Sequence, residues 1–202
     1  IKPFIRIGYK EFTQDKSAFN SAMSYTLKRA VTGSGKEIKI DFDRALVSMG
    51  TLMPIFEGAA TVSNHQMTFN WKDNSGMGNA ERTDIAMVLV YSKDREAAVY
   101  DTEAALRSDC HAGLQLPEDW QDDELVAYLS FCSTDGNCVA NSICLPISVI
   151  EIPEEEIDVQ TESIDTTHKR ILPDKRKVHQ SRITVHSLSA PPNEIRTYRC
   201  ET

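Results

Sequence analysis

The chain has 202 residues, enough for one well-packed domain with an extension or for two small domains. Its net charge of −8, from 22 Lys and Arg against 30 Asp and Glu, argues against a nucleic-acid surface on the folded part, because phosphate contacts need clustered cations. No run of about eighteen apolar residues occurs, so no segment is built to span a membrane as a helix.

Hydrophobic residues make up 41% of the chain, but after residue 150 the sole aromatic is Tyr198. A core within residues 1–150 and little beyond is the expectation. The chain starts at Ile1 with no initiator Met, which reads as a missing start and leaves secretion open. Residues 1–14 read as the last part of an element that begins upstream. A helix is predicted from about Lys16 to Thr32, with Phe19, Met23, Leu27 and Val31, and Ala18, Ala22 and Ala30 beside them, as its core face. Asp15 or Ser17 caps its start, Lys28 and Arg29 suit its C-terminal dipole, and Gly33 ends it. Thr32-Gly33-Ser34-Gly35-Lys36-Glu37 has glycines and a lysine like a phosphate loop. Ala30 stands at the first glycine, however, and Glu37 at the magnesium-binding hydroxyl, so a helix-ending turn is expected.

Glu37–Phe42 alternates and reads as a strand. Ala45–Met49 reads as extended, and Pro54 with Gly58-Ala59-Ala60 as a junction. Strands are then predicted at Gln66–Trp71, at Ile85–Ser92 (the most apolar, hence central), at Ala97–Asp101 and at Ala112–Pro117. Leu125–Ser133 and Cys138–Val149 form a final hairpin around Asp135-Gly136, with Pro146 placing part of the last strand at an edge. In that register Cys132 faces Val139, Cys138 faces Ser133 and Cys144 faces Ala127. Cys132 and Cys138 then lie on opposite sides of the sheet, while Cys138 and Cys144 share a side roughly 20 Å apart at strand rise. The five cysteines therefore read as free thiols, which leans towards a reducing, cytoplasmic compartment, and their spacing is not that of a zinc site.

Residues 151–165 carry seven acids and no base, and residues 166–202 carry eight Lys or Arg against three acids. This is the composition of a disordered, charge-segregated tail, with one short strand at most at Arg182–Leu188. The basic cluster His168-Lys169-Arg170 and Lys175-Arg176-Lys177 reads as part of that solvated tail.

Two loops offer candidate interaction residues. Asp73, Asn74 and Asn79 lie in a turn-rich stretch whose oxygen atoms lack the spacing of a calcium loop. Glu118, Asp119, Trp120, Asp122 and Asp123 set acids around one tryptophan, expected to fold back over the sandwich edge. Cys110-His111 after Asp109 pairs a thiol with an imidazole, but neighbours on a strand point apart. No pattern points to a metal or a cofactor.

The landmarks Met67-Thr68-Phe69-Asn70-Trp71, Val88–Tyr91, Leu114–Pro117 and Tyr128-x-Ser130-x-Cys132 resemble the strands of fibronectin type III domains, departing at polar Ser130. Three segments, Ser17–Lys28, Phe69–Ala80 and Ser133–Gly136, resemble a Bacteroidota family catalogued as domain of unknown function 6266, over roughly residues 1–150. That resemblance implies a lineage and a fold and carries no catalytic residues with it.

The resulting expectation is a mainly β fold in three parts: a helix-plus-strand lead-in at 1–53, an antiparallel fibronectin type III/Ig-like sandwich at 54–150, and a low-order tail at 151–202. The expected function is a non-enzymatic binding or structural module for a protein or glycan partner. The rivals are a subunit of a larger, phage-like or surface assembly, and a hydrolase or metal-dependent enzyme built from Cys110, His111 and the 118–124 acids.

Overall fold

The computed structural model describes residues 1–35 and 37–150. The expectations for the acidic stretch, the basic cluster, Arg182–Leu188 and Cys200 lie outside the described residues.

The fold is mainly β, with a small lead-in. Helix α1 (Lys2–Gly8) carries Pro3 in its first turn, where a missing N–H costs nothing. A 3₁₀ turn at Lys10–Phe12 leads to helix α2 (Ala18–Arg29). Ser17 caps α2, its side chain accepting the Asn20 N–H at 3.2 Å. The helix is shorter than the predicted span, because Val31–Thr32 becomes strand β1, paired antiparallel with β2 (Lys39–Ile40). Of the predicted strand at Glu37–Phe42 only Lys39–Ile40 pairs, and Ala45–Met49 belongs to no strand.

Two four-stranded sheets follow. One contains β3 (Gly58–Ser63), β4 (Gln66–Trp71), β7 (His111–Gln115) and β10 (Ile147–Val149), in the order β10-β3-β4-β7. The other contains β5 (Ile85–Ser92), β6 (Ala97–Leu106), β8 (Leu125–Cys132) and β9 (Ile143–Leu145), in the order β6-β5-β8-β9. Gly58–Ser63 is thus a strand where a junction was expected. Asn64 and His65, with φ of 47° and 57°, form the tight two-residue turn into β4.

One apolar core joins the inner faces of the two sheets, with Met67, Phe69 and Trp71 against Val88, Leu129 and Phe131. A second lies on the outer face of the β5/β8 sheet, where Met87, Leu89 and Tyr128 meet Phe4, Ile5, Tyr9, Ala18, Ala22 and Val47 of the lead-in. β5 and β8 are therefore covered on both faces, which is why Ile85–Ser92 is apolar almost throughout. Contact at this interface is close. A Cβ on Gly8 would lie 2.6 Å from the Val47 carbonyl oxygen, and one on Gly50 2.3 Å from that of Val139.

The predicted core face of α2 holds for its alanines and is overturned for its large residues. Ala18 and Ala22 are buried, while Phe19, Met23 and Leu27 are 40%, 43% and 64% exposed. Phe4, Ile5 and Tyr9 already cover the sheet, so α2 has only α1 and the neighbouring loop to pack on, and its alanine side fits that close approach.

The final hairpin keeps the expected register at its tip, Cys132 opposite Val139, and then slips by one residue, Tyr128 opposite Cys144 and Ala127 opposite Leu145. Ser142 causes the slip. Its hydroxyl accepts the Val47 N–H at 2.9 Å and its own N–H donates to the Ser48 carbonyl at 3.0 Å, tying this stretch to the lead-in instead of the ladder. A one-residue slip exchanges faces. Cys144 consequently packs with the lead-in core and Cys138 with the core between the sheets, so the two do not share a side. The four described cysteines are free thiols. Pro146 marks the point where the chain changes sheets, its carbonyl accepting the Ala60 N–H at 2.9 Å before β10 runs parallel to β3.

Burial raises the pKa values of Tyr9, Tyr128, Cys132 and Cys144 at the lead-in interface. The Tyr9 and Tyr128 phenols, donating to the Leu46 and Phe42 carbonyls at 3.0 and 2.7 Å, are pushed above the ordinary range, and burial with nearby Asp43 pushes the Cys144 thiol up to about 12. The folded state therefore holds these protons more tightly than the unfolded chain. Their contribution is complete below the ordinary thiol and phenol values of about 8.5 and 10 and is lost as pH rises beyond them. Urea midpoints should fall from about pH 8 to about pH 11, and a Tyr128→Phe/Cys144→Ala variant should show a shallower fall. Equal slopes for the two proteins would refute the assignment.

Candidate functional site

The loop after Trp71 is held from inside. Arg107, fully buried, follows β6 in a short 3₁₀ turn at Arg107–Asp109. Its Nε donates to Asp84 Oδ2 at 3.0 Å, Nη1 to Asn74 Oδ1 at 2.7 Å and Nη2 to the Met53 carbonyl at 2.9 Å. The guanidinium also lies 3.9 Å from the centre of the Phe131 ring. Trp71 Nε1 donates to the Arg107 carbonyl at 2.8 Å, and Asp84 Oδ2 also accepts the Glu81 N–H at 2.9 Å. Burial pulls the Arg107 pKa below its ordinary value, and Asp84 pulls it back. Among the described residues no buried side-chain nitrogen or oxygen lacks a partner.

This network decides the fate of the first candidate loop. Asn74 is 5% exposed and donates from Nδ2 to the Pro54 carbonyl at 2.8 Å. Asn79 accepts the Met53 N–H at 2.8 Å and donates to the Thr51 carbonyl at 3.2 Å. Both amides fasten the loop to residues 51–54, Asn74 from a buried position and Asn79 from an exposed one. Asp73 caps its own turn through the Ser75 N–H and hydroxyl, which hold its carboxyl below the usual range.

The second candidate loop is tied in the same manner. Trp120 is buried in the core between the sheets. Asp119 Oδ2 accepts from Arg95 Nη1 at 2.7 Å, and Asp123 Oδ2 from Arg95 Nε at 3.2 Å and the Ser92 hydroxyl at 2.6 Å. Lys93 pairs with Glu124. These acids latch the turn between β5 and β6, Asp123 shielded and Asp119 and Glu124 still exposed, as are Glu118 and Asp122. At Cys110-His111 the imidazole Nδ1 lies 2.8 Å from the Asp109 carbonyl, and the Asp109 carboxylate accepts the Leu106 N–H at 2.9 Å. The atom of Asp109 that meets the ring is thus its carbonyl, while its carboxylate is engaged by the Leu106 N–H. No group of three His, Cys, Asp or Glu among the described residues is placed to share a metal ion.

Among the described residues, α2 presents an open surface. Beside it, a cleft of about 560 Å³ runs between the helix and residues 11–16, with Phe12, Tyr25 and Met49 among its walls and Lys16, Lys28 and Arg29 at its rim. The Glu11 carboxylate in this cleft is already engaged, accepting from the Thr51 N–H and hydroxyl and the Val139 N–H. On the neighbouring face of the helix, Phe19, Met23 and Leu27 lie one turn apart in an apolar row. Lys2 Nζ sits 5.7 Å from the centre of the Phe19 ring. The arrangement offers apolar contact inside a positively charged border. The sequence pattern revealed the stripe, and only its orientation was misread.

Residues 1–146 match the model of a family described as a family of unknown function (DUF6266), and the chain belongs to that family. The comparisons with curated proteins and with solved structures find no match.

Removing Arg107 strands Asp84 and Asn74 in the interior. Arg107→Ala should cost ~3–5 kcal/mol in urea unfolding, whereas the volume-filling pair Arg107→Met/Asp84→Leu should recover most of that loss. A cost below about 1 kcal/mol for Arg107→Ala, the level of an exposed pair, would refute the role given to it.

Proposed function

We propose that the chain is a non-enzymatic binding module: a fibronectin type III-like sandwich that presents α2 to a protein partner. The observation that carries this reading is the outward row of Phe19, Met23 and Leu27 on a helix whose buried side is alanine. Large apolar side chains grouped on one exposed helix face, with polar and charged groups around them, are the usual signature of a recognition surface. Two facing sheets, antiparallel except where β10 runs beside β3, with β5 and β8 central in one and Trp71 in the core between them, support the fibronectin-like part of the reading. The segments Ser17–Lys28 and Phe69–Ala80 support a Bacteroidota lineage. The polar residues of the two loops serve the scaffold, which favours binding through the helix over binding through those loops.

A triple variant, Phe19→Asn/Met23→Asn/Leu27→Asn, tests the reading. Its unfolding free energy should change by no more than about 0.5 kcal/mol per site, as for exposed positions, against the ~2–5 kcal/mol that truncating buried side chains of this size costs. In affinity purification from the source cells, proteins retained by the wild-type chain should be absent from the variant. A variant that unfolds, or one that retains the same set of proteins, would refute α2 as the recognition surface.

A further inference from the structure

We propose that the cleft beside α2 is a separate binding site, which takes an extended acidic segment of a partner protein with carboxylates at both ends and an apolar centre. The proposal is independent of the row of Phe19, Met23 and Leu27, which lies on the neighbouring face of the helix. Charge is the first argument. Residues 1–40 hold eight Lys and Arg against three Asp and Glu, whereas residues 41–150 hold six against seventeen. Lys16, Lys28 and Arg29 line the cleft, and among the described residues none of the three has a hydrogen-bond or ion-pair partner. Glu11 is already taken by three donors, which leaves Asp15 as the unengaged acid of the cleft.

The second argument is the placing of those charges. Lys16 precedes the Ser17 cap, while Lys28 and Arg29 close the helix, so cations stand at both ends of a rod about 18 Å long. The dipole of α2 favours Lys28 and Arg29 at its C-terminus and disfavours Lys16 at its start, so helix stability does not account for all three. Between the two ends the walls are apolar. The Ser21 hydroxyl donates to the Phe12 carbonyl at 2.7 Å, which holds Phe12 beside the middle of the helix, and Tyr25 and Met49 complete that stretch.

Shape selects the occupant. A compact anion reaches the cations at one end only. An extended chain advances about 3.3 Å per residue, so five or six residues cover the length of the helix. Such a segment sets carboxylates against Lys16 at one end and Lys28 and Arg29 at the other, with apolar side chains over Phe12, Tyr25 and Met49. The volume of about 560 Å³ lies within the range of ordinary ligand sites. Nucleic acid is the poorer fit, because three cations in a chain of net charge −8 supply few phosphate contacts.

The test is selection of a displayed library of random heptapeptides on the full chain, with the affinity of the enriched peptide then measured by fluorescence anisotropy. Sequences with acids at both ends and apolar residues between them are expected. The variant Lys16→Gln/Lys28→Gln/Arg29→Gln should bind that peptide about tenfold more weakly, the combined effect of three exposed ion pairs. A peptide whose acids are changed to Asn should lose as much on the wild-type chain, a reading that needs no change in the protein. Phe19→Asn/Met23→Asn/Leu27→Asn should bind the peptide unchanged. No enrichment, enrichment of basic or neutral sequences, or an affinity that survives loss of the charges on either side overturns the proposal. Loss of binding in the Asn variant assigns the peptide to the apolar row, which overturns the separate cleft site and keeps α2 as the recognition surface. Displacement of the peptide by an oligothymidylate of equal length overturns the peptide as the class of ligand.

Discussion

A single buried cation organises one end of this molecule. Arg107 has no contact with solvent, and each of its nitrogens is directed at a different piece of chain: Asp84 at the start of β5, Asn74 in the loop after β4, and the Met53 carbonyl in the segment leading from the lead-in. The Arg107 carbonyl receives the Trp71 indole, and the guanidinium covers Phe131, which itself meets Trp71 edge-on at 5.6 Å. Replacing such a pair with apolar groups of the same volume is often neutral or better for stability. Its value lies in geometry. An apolar plug would fill the space without choosing which loop sits where, whereas a planar fork with a separate acceptor for each nitrogen admits one arrangement.

The same logic separates what was legible in the sequence from what was not. The strands around Trp71, the central position of Ile85–Ser92 and the tip of the last hairpin came from local signals: period-two alternation, an unbroken apolar run and an Asp-Gly turn. The slip at Ser142 came from a partner ninety-five residues away, the Val47 N–H, and no local pattern carries that information. β3 was missed because Gly58-Ala59-Ala60 has low strand propensity. It forms a strand because β4 and β10 supply hydrogen bonds on both sides.

Loop polarity conceals bonding partners for a related reason. Asn74 and Asn79 have the composition of a solvated turn, and Asp119 and Asp123 that of an exposed acidic patch. A side chain's chemistry does not reveal its direction. In both loops an acceptor satisfies a donor that folding would otherwise strand, Arg107 in one and the Ser92 hydroxyl in the other. Arg107 itself gave no signal at all, since it sits in an ordinary charged turn of sequence, Leu106-Arg107-Ser108-Asp109.

The helix α2 shows the opposite failure, an apolar pattern that is real but faces outward. Periodicity establishes that a helix has an apolar side, and the prediction adds the assumption that the apolar side is the buried one. Here the sheet beneath is already covered by Phe4, Ile5 and Tyr9, and close packing against α1 selects alanine over larger residues. Turning Phe19, Met23 and Leu27 inward would require a cavity that this layer does not contain. Turning them outward gives up the burial of three large side chains, about 1.5–3 kcal/mol each when complete. Phe19, Met23 and Leu27 therefore stay 40%, 43% and 64% exposed, and the proposed docking surface rests on that outward row.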